Sequence, residues 1–447
     1  LTPTKNSPEN VIIQNATILT ADNLTIKKGS IWLKDGTIQD ISDKAIKVEG
    51  AAIIDGSGKF VTPGIIDTHS HMGVYAVPYV EATSDGNEAT NKATPYVDAL
   101  NSIWPQDPSF EKAMKAGVTI AQILPGSANL VGGKGAVVQM HPAVSARAML
   151  VEEAPESIKM ACGENPKNVY GERGGPSTRM GNYAAFRALF QKAANHLKTL
   201  EDYEKKLNKW KKDGADAKKK PAEPKRDFGQ ETLVSVLKGE TLVHIHCYRA
   251  DEMIQLLQLS EEFGFKVRSF HHAIEAYKIR DILSKWKVGV STWADWWGFK
   301  LEAHDATIYN AALLSESGVK TIIHSDSQIG IQRLNQEAAK VFFAGKRAGL
   351  DLSENDALRW ITYNAAWALG LEKVTGTLTK GKRADIVVWD KHPFSIYAQP
   401  DFVFVQGVRE FDREKPNPRW SDFETGYAPM INVEQNNTST KSAKGVR

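Results

Sequence analysis

Between Gly64 and His324 the chain repeats one arrangement: an apolar run of strand length, one or two polar residues, then a longer segment with helical spacing. The runs are 64–69, Gly117–Leu124, one within 135–151, Ser157–Cys162, Thr241–His246, Lys266–His271, Val288–Ser291 and Lys320–His324. Alternation of this kind argues for a parallel sheet or barrel, with helices returning each strand to the same end. Eight strands predict an α/β fold, a (β/α)8 TIM barrel, whose chemistry sits at the C-terminal strand ends. A chain of 447 residues suits one such barrel and one small domain.

The two ends of the chain read differently. Val11–Ile13, Ala16–Leu19, Gly29–Leu33 and Thr37–Ile38 are short strand-like runs punctuated by Asp, Asn, Gly and Lys. Ala384–Trp389 and Phe402–Gly407 have the same character. The simplest arrangement is a small β-sandwich built from both ends. It gives an N-terminal part at 1–62, a barrel at 63–365, and a C-terminal part with a tail at 366–447.

Two segments exceed a minimal barrel. The loops 73–108 and Gly126–Gly135 are long for βα connections. Their glycines allow N–H groups to approach a substrate, or simply a compact Ω-loop. Phe186, Leu189, Phe190, Ala193, Leu197, Leu200, Leu207 and Trp210 recur at helical spacing and predict a long helix. It forms part of a basic arm at about 192–230, in which 192–226 holds 12 Lys/Arg against 6 Asp/Glu. A solvated arm or an oligomer contact explains that excess, as would an anionic partner.

A net charge of +3 implies neither a nucleic-acid nor a membrane partner, and no apolar run is long enough to span a bilayer. A homo-oligomer is expected. The only cysteines, Cys162 and Cys247, lie in apolar stretches and read as small buried residues rather than a disulfide framework. The chain starts at Leu1, so something preceded it, and the polar stretch Thr2–Pro8 suits a tail exposed after cleavage. The compartment, cytoplasmic or exported, is open.

The first barrel strand carries the sharpest signal, Val61-Thr62-Pro63-Gly64-Ile65-Ile66-Asp67-Thr68-His69-Ser70-His71. Alternate residues of a strand share a face, so His69 and His71 can grip one ion. The stretch resembles the first-strand signature of the amidohydrolase superfamily, and Gly381–Val387 resembles its closing segment. The resemblance covers about residues 10–410 and is closest to the imidazolonepropionase-like and prolidase-like metal-dependent hydrolases.

That resemblance implies further ligands in order: His246 after strand five, His272 after strand six with His271 as the alternative, and Asp326 after strand eight. His244 lies on the same face as His246 but deeper. On strand four, Lys159 resembles the lysine that binuclear members convert with CO2 to a bridging carbamate. Glu164 is the alternative bridging ligand, and an ion pair within the barrel is the plain structural role for Lys159. The implied cofactors are two divalent ions, most simply Zn2+, with carbamylated Lys159.

The implied reaction is hydrolysis of a C–N amide bond of a small, carboxylate-bearing or peptide-like substrate. The water is activated by metal and Asp326 is general base and acid. Tyr248, Arg249, Trp293 and Arg179 are candidate substrate contacts, with Trp296 and Trp297 extending an aromatic wall. Other readings are a mononuclear cyclic amidase or deaminase, and a non-catalytic binding or assembly subunit. Gln139 and Glu337 receive no role.

Overall fold

The structure is a computed structural model and describes residues 7–415. Residues 2–6 of the expected tail Thr2–Pro8, and the C-terminal tail from 416 onward, lie outside the described residues. Two eight-stranded sheets account for the strands.

The first sheet joins the two ends of the chain. Val11–Leu19, Thr25–Lys34, Thr37–Ser42, Ala52–Asp55 and Phe60–Pro63 come from the N-terminal side. Ile386–Trp389, Pro400–Val405 and Val408–Asp412 come from the C-terminal side. The join is antiparallel, Pro63 opposite Ile386 and Phe60 opposite Trp389. The expected meeting of the ends is therefore present, as one continuous sheet rather than two separately bonded ones. The hairpin between Lys34 and Thr37 turns on Asp35 (φ 50°) and Gly36 (φ 77°), the positive-φ pair that matches strand twist. Val11, Ile13, Ile18, Ile31, Val61, Ile386 and Phe404 fill the core on one face of this sheet.

The second sheet is the barrel, with strands labelled here β1 Ile65–Ser70, β2 Val118–Ile123, β3 Val131–Gln139, β4 Ser157–Ala161, β5 Leu242–Cys247, β6 Val267–His272, β7 Gly289–Thr292 and β8 Thr321–Ile323. The strand Phe60–Pro63 runs almost directly into β1. A Cβ on Gly64 would stand 2.1 Å from Thr119 Oγ1, so only glycine allows β1 to lie against β2 here.

The barrel departs from an all-parallel (β/α)8 arrangement at β3. This strand is antiparallel to β2 (Ile120 opposite Gln139) and to β4 (Val131 opposite Met160). Residues 124–130 alone connect β2 to β3. A parallel crossover needs a dozen residues or more, so so short a link forces the reversal. Gln139 thereby ends at the face opposite the histidines, where its Oε1 accepts from Arg383 at 2.8 Å. The ring is nearly closed, and between β8 and β1 it is joined through a loop, Asp326 N–H donating to His69 O at 2.9 Å.

The cysteine expectation is overturned. Cys162 and Cys247 form a disulfide with Cα atoms 5.2 Å apart. Parallel pairing of β4 with β5 puts His246 opposite Ala161, so the next residues on each strand are neighbours although 85 positions separate them.

The long helix is present at Arg179–Lys212, capped by Thr178, whose hydroxyl accepts from Gly181 N. Only its first half is anchored, by buried Asn182, Phe186, Phe190 and Ala193. Phe190 stacks on Phe265 at 4.4 Å. Beyond Ala193 no residue of this helix is buried, and the basic stretch is largely exposed. The helix Phe228–Lys238 returns the chain to β5. Among the described residues, no helix is long and apolar enough to cross a membrane.

Candidate metal centre

Seven polar side chains converge at one end of the barrel. His69 and His71 come from the end of β1, Lys159 from β4, His246 from β5, His272 from β6, and His324 and Asp326 follow β8. His69 and His272 ring centroids are 4.8 Å apart, His246 and His272 4.6 Å, and His272 and His324 5.0 Å. His71 Nε2 lies 3.1 Å from Asp326 Oδ1, and His69 Nε2 lies 3.7 Å from the same oxygen. On the other side, His272 Nδ1 is 3.8 Å from Asp326 Oδ2.

Local backbone explains how neighbours in sequence reach the same place. Adjacent strand residues point to opposite faces, yet His271 and His272 both join the histidine array. Positive φ at His272 (66°) and Ala273 (40°) breaks the alternation and swings His272 over the barrel end. Asp326 also sits at positive φ, 52°. Such backbone strain is characteristic of sites the surrounding fold over-determines. Asp67 is part of that determination: its Oδ1 accepts from His69 N at 3.1 Å and Ser325 N at 3.2 Å. Burial pushes the Asp67 carboxyl up to about 7.

The electrostatics favour neutral imidazoles. Burial holds His69, His246 and His272 well below the ordinary histidine range and takes His324 down to about 3. A neutral ring has the lone pair that a metal requires. His71 Nδ1 is 2.8 Å from Leu124 O, so this nitrogen carries the proton and Nε2 is left as the donor atom.

Lys159 is 1% exposed and makes no ion pair with a carboxylate among the described residues. Its Nζ meets His69 Nε2 and Pro125 O, each at 3.2 Å. Burial lowers its pKa to about 7, so an appreciable fraction is free amine near neutrality.

The donor set fits a metal. His69, His272 and His324 present nitrogens within 4.8 Å of one another, and the imidazoles of His69 and His71 with a carboxylate oxygen of Asp326 form a second such group. His272 Nδ1 and both nitrogens of His324 are buried without hydrogen-bond partners. Each such atom costs about 1–3 kcal/mol if nothing binds it.

Comparison with known proteins gives the family. The Amidohydrolase family model matches residues 298–412. The crystal structure of an amidohydrolase from Thermotoga maritima MSB8 is 35% identical, covers 90% of this chain and 100% of its own, and superposes with a TM-score of 0.81. The chain belongs to the amidohydrolase family. The amidohydrolase tasK of Hapsidospora irregularis is 33% identical over 402 residues, 86% of this chain. This chain spans only 40% of that relative's length. A prolidase complexed with N-methylphosphonate-L-proline shares the fold at 15% identity and a TM-score of 0.52.

In this amidohydrolase the remaining expected site residues fall into two groups. Tyr248 is buried and stacks on His272 at 5.3 Å. Trp293 stacks on the same imidazole at 4.4 Å and donates from Nε1 to Ser325 O at 3.1 Å. Trp296 lies 5.8 Å from Trp293, whereas Trp297 is exposed. Arg249 and Arg179 are not brought into the cluster. Both pair with Asp251, at 2.9 and 3.0 Å, with side chains 41% and 48% exposed. Glu164 lies 3.4 Å from Lys300, apart from the imidazoles. His271 lies between His69 and His244.

The sequence reading missed His324 and Lys300. His324 precedes Asp326 by two residues and ends an apolar run, so the alternation that placed His69 and His71 applied to it as well. Lys300 Nζ lies 4.3 Å from the Tyr248 ring centroid and donates to Asn165 Oδ1 at 2.9 Å and Glu302 Oε1 at 2.8 Å. Asn165 in turn reaches Ser127 Oγ at 2.8 Å, and its Nδ2 is 3.5 Å from His246 Nε2. A cleft of about 290 Å³ opens beside His71, lined also by Tyr75, Asn87, Ser127, Asn165 and Asn168.

Proposed function

We propose that this amidohydrolase hydrolyses a C–N amide bond of a small, peptide-like or carboxylate-bearing substrate, using two divalent ions, most simply Zn2+. The proposed ligands are His69, His71, Lys159 as its carbamate, His246, His272 and Asp326. The observation that carries the reading is the buried, acid-free amine of Lys159 at 3.2 Å from His69 Nε2, among imidazole nitrogens that lack protein partners. A free amine adds to CO2 with loss of one proton, and the carbamate has two oxygens where the ammonium has none. Glu164 is less suited to bridge, since its carboxylate faces Lys300. On this reading the chain divides into sheet segments 1–62 and 366–447 around a barrel at 63–365.

Bound divalent ions would supply Lewis acidity, lowering the pKa of a water and polarising the scissile carbonyl. Asp326, 3.1 Å from His71 Nε2, takes the proton from the attacking water and delivers it to the leaving nitrogen. Burial raises the Asp326 carboxyl, but the side chains around it outweigh that and keep it below its ordinary range, so it starts as a base. Trp293 and Tyr248 cover His272 and exclude water from that side. Lys300, which lies over the Tyr248 ring beside the centre and is shared with Glu302 and Glu164, is the cation proposed to meet a substrate carboxylate, whereas Arg179 and Arg249 stay outside the cluster.

The compact set His69, His272 and His324 favours a second reading, one ion and a cyclic amidase or deaminase reaction. Elemental analysis of protein purified with bicarbonate separates the two. Near two metals in wild type and one or fewer in Lys159→Ala supports the carbamate-bridged centre. One metal in both proteins replaces it with the mononuclear reading.

A further inference from the structure

Three buried imidazoles stand in file beneath the proposed centre. His69 Nδ1 is 2.8 Å from His271 Nδ1, and His271 Nε2 is 2.9 Å from His244 Nδ1. The rings are 1%, 0% and 0% exposed, and His244 Nε2 has no hydrogen-bond partner. Rings so fully withdrawn from water are held neutral, because burial penalises the charged form.

A neutral imidazole has one N–H and one lone pair. Each contact needs one donor and one acceptor, so the tautomer of any ring fixes the other two. Only two arrangements satisfy both contacts. In one, His69 Nδ1–H donates to His271 Nδ1 and His271 Nε2–H donates to His244 Nδ1, while His244 carries its proton on Nε2. In the other, every donor is reversed and the proton of His69 sits on Nε2. The first alone leaves a lone pair on His69 Nε2, the atom that faces Lys159 and Asp326.

We infer that His271 is a positioning residue: its Nδ1 lone pair holds His69 as the Nδ1–H tautomer that can ligate, and metal binding locks the file His69–His271–His244 into one tautomeric register. The inference rests on the reading of His69 as a metal ligand. No proton is gained or lost by the three rings as a set. The outer partner of a ligating histidine is usually a carboxylate or carbonyl, and losing it lowers metal affinity about 10–100-fold. Here the partner is another imidazole, so the preference is passed on to a third ring.

The test uses metal affinity and nitrogen NMR, neither of which depends on turnover. In 15N-histidine-labelled, Zn2+-loaded wild type, two-bond 1H–15N correlations should show His69 protonated at Nδ1 and His271 and His244 at Nε2. His271→Leu, which has no acceptor, should bind Zn2+ about 10–100-fold more weakly. His271→Asn, whose Oδ1 can accept near the lost Nδ1, should recover most of that loss. Equal affinity of the Leu and Asn variants overturns the inference while leaving the metal centre standing, whereas the reversed tautomers in loaded wild type overturn it together with His69 as a ligand. Wild type that takes up no metal overturns the centre and this inference together. Should His271→Leu fail to fold, the Asn variant and the wild-type spectra still decide.

Discussion

Glu252 illustrates how burial acts on a single residue. It is 5% exposed in the first turn of the helix Ala250–Phe263, and one carboxylate oxygen lacks a partner. Burial pushes its pKa up to about 6. The native state therefore disfavours ionised Glu252: the cost is absent below the unfolded value, grows up to about 6, and is complete above that. Glu252→Gln should gain on the order of 1–2 kcal/mol relative to wild type at pH 8 and none at pH 4, read by urea unfolding. A gain that does not change with pH would refute the assignment. Asp326→Asn should keep the fold and lower kcat about 10²–10⁴-fold on whichever amide the enzyme accepts, checked by steady-state kinetics. A loss confined to KM would remove Asp326 from the proton transfer. The positions of these groups were legible to unequal degrees. His69, His71, His246 and Asp326 could be anticipated because each terminates a recognisable apolar run, where a barrel presents side chains. Lys300 could not, since it comes from a loop whose path over Tyr248 no local pattern fixes.

The same division appears at the scale of elements. Seven barrel strands lie close to the expected runs because a strand buried on both faces reads as a continuous apolar stretch. The third, β3 at Val131–Gln139, begins in glycine-rich Val131-Gly132-Gly133-Lys134-Gly135, which carries little strand propensity. Its reversal follows from the length of a connection, which local composition does not encode. The disulfide was hidden for a related reason, since spacing in sequence says nothing about which strand ends become neighbours. It ties β4, with Lys159, to β5, with His246. Reduction should lower stability by about 2–4 kcal/mol, visible as a lower Tm with reductant than without. An unchanged Tm in fully reduced protein, verified by thiol counting, would show that the bond contributes nothing.

For the whole molecule, meeting of the two chain ends was legible from their matching strand character, whereas their merger into one continuous sheet depends on the register of Phe60–Pro63 against Ile386–Trp389. The projecting part of the arm is dispensable on this architecture, because its buried contacts stop at Ala193. Replacing 200–222 by a short Gly/Ser linker should leave the metal content of the protein unchanged in elemental analysis. Loss of metal would place the arm in the maintenance of the centre. Every residue of the arm lies inside the covalent loop closed between Cys162 and Cys247. Trypsin acting at the exposed lysines Lys218 and Lys219 would therefore sever the backbone without releasing either half. The cut enzyme would remain a single molecule, its two polypeptides joined through sulfur, and would come apart only when denatured and reduced.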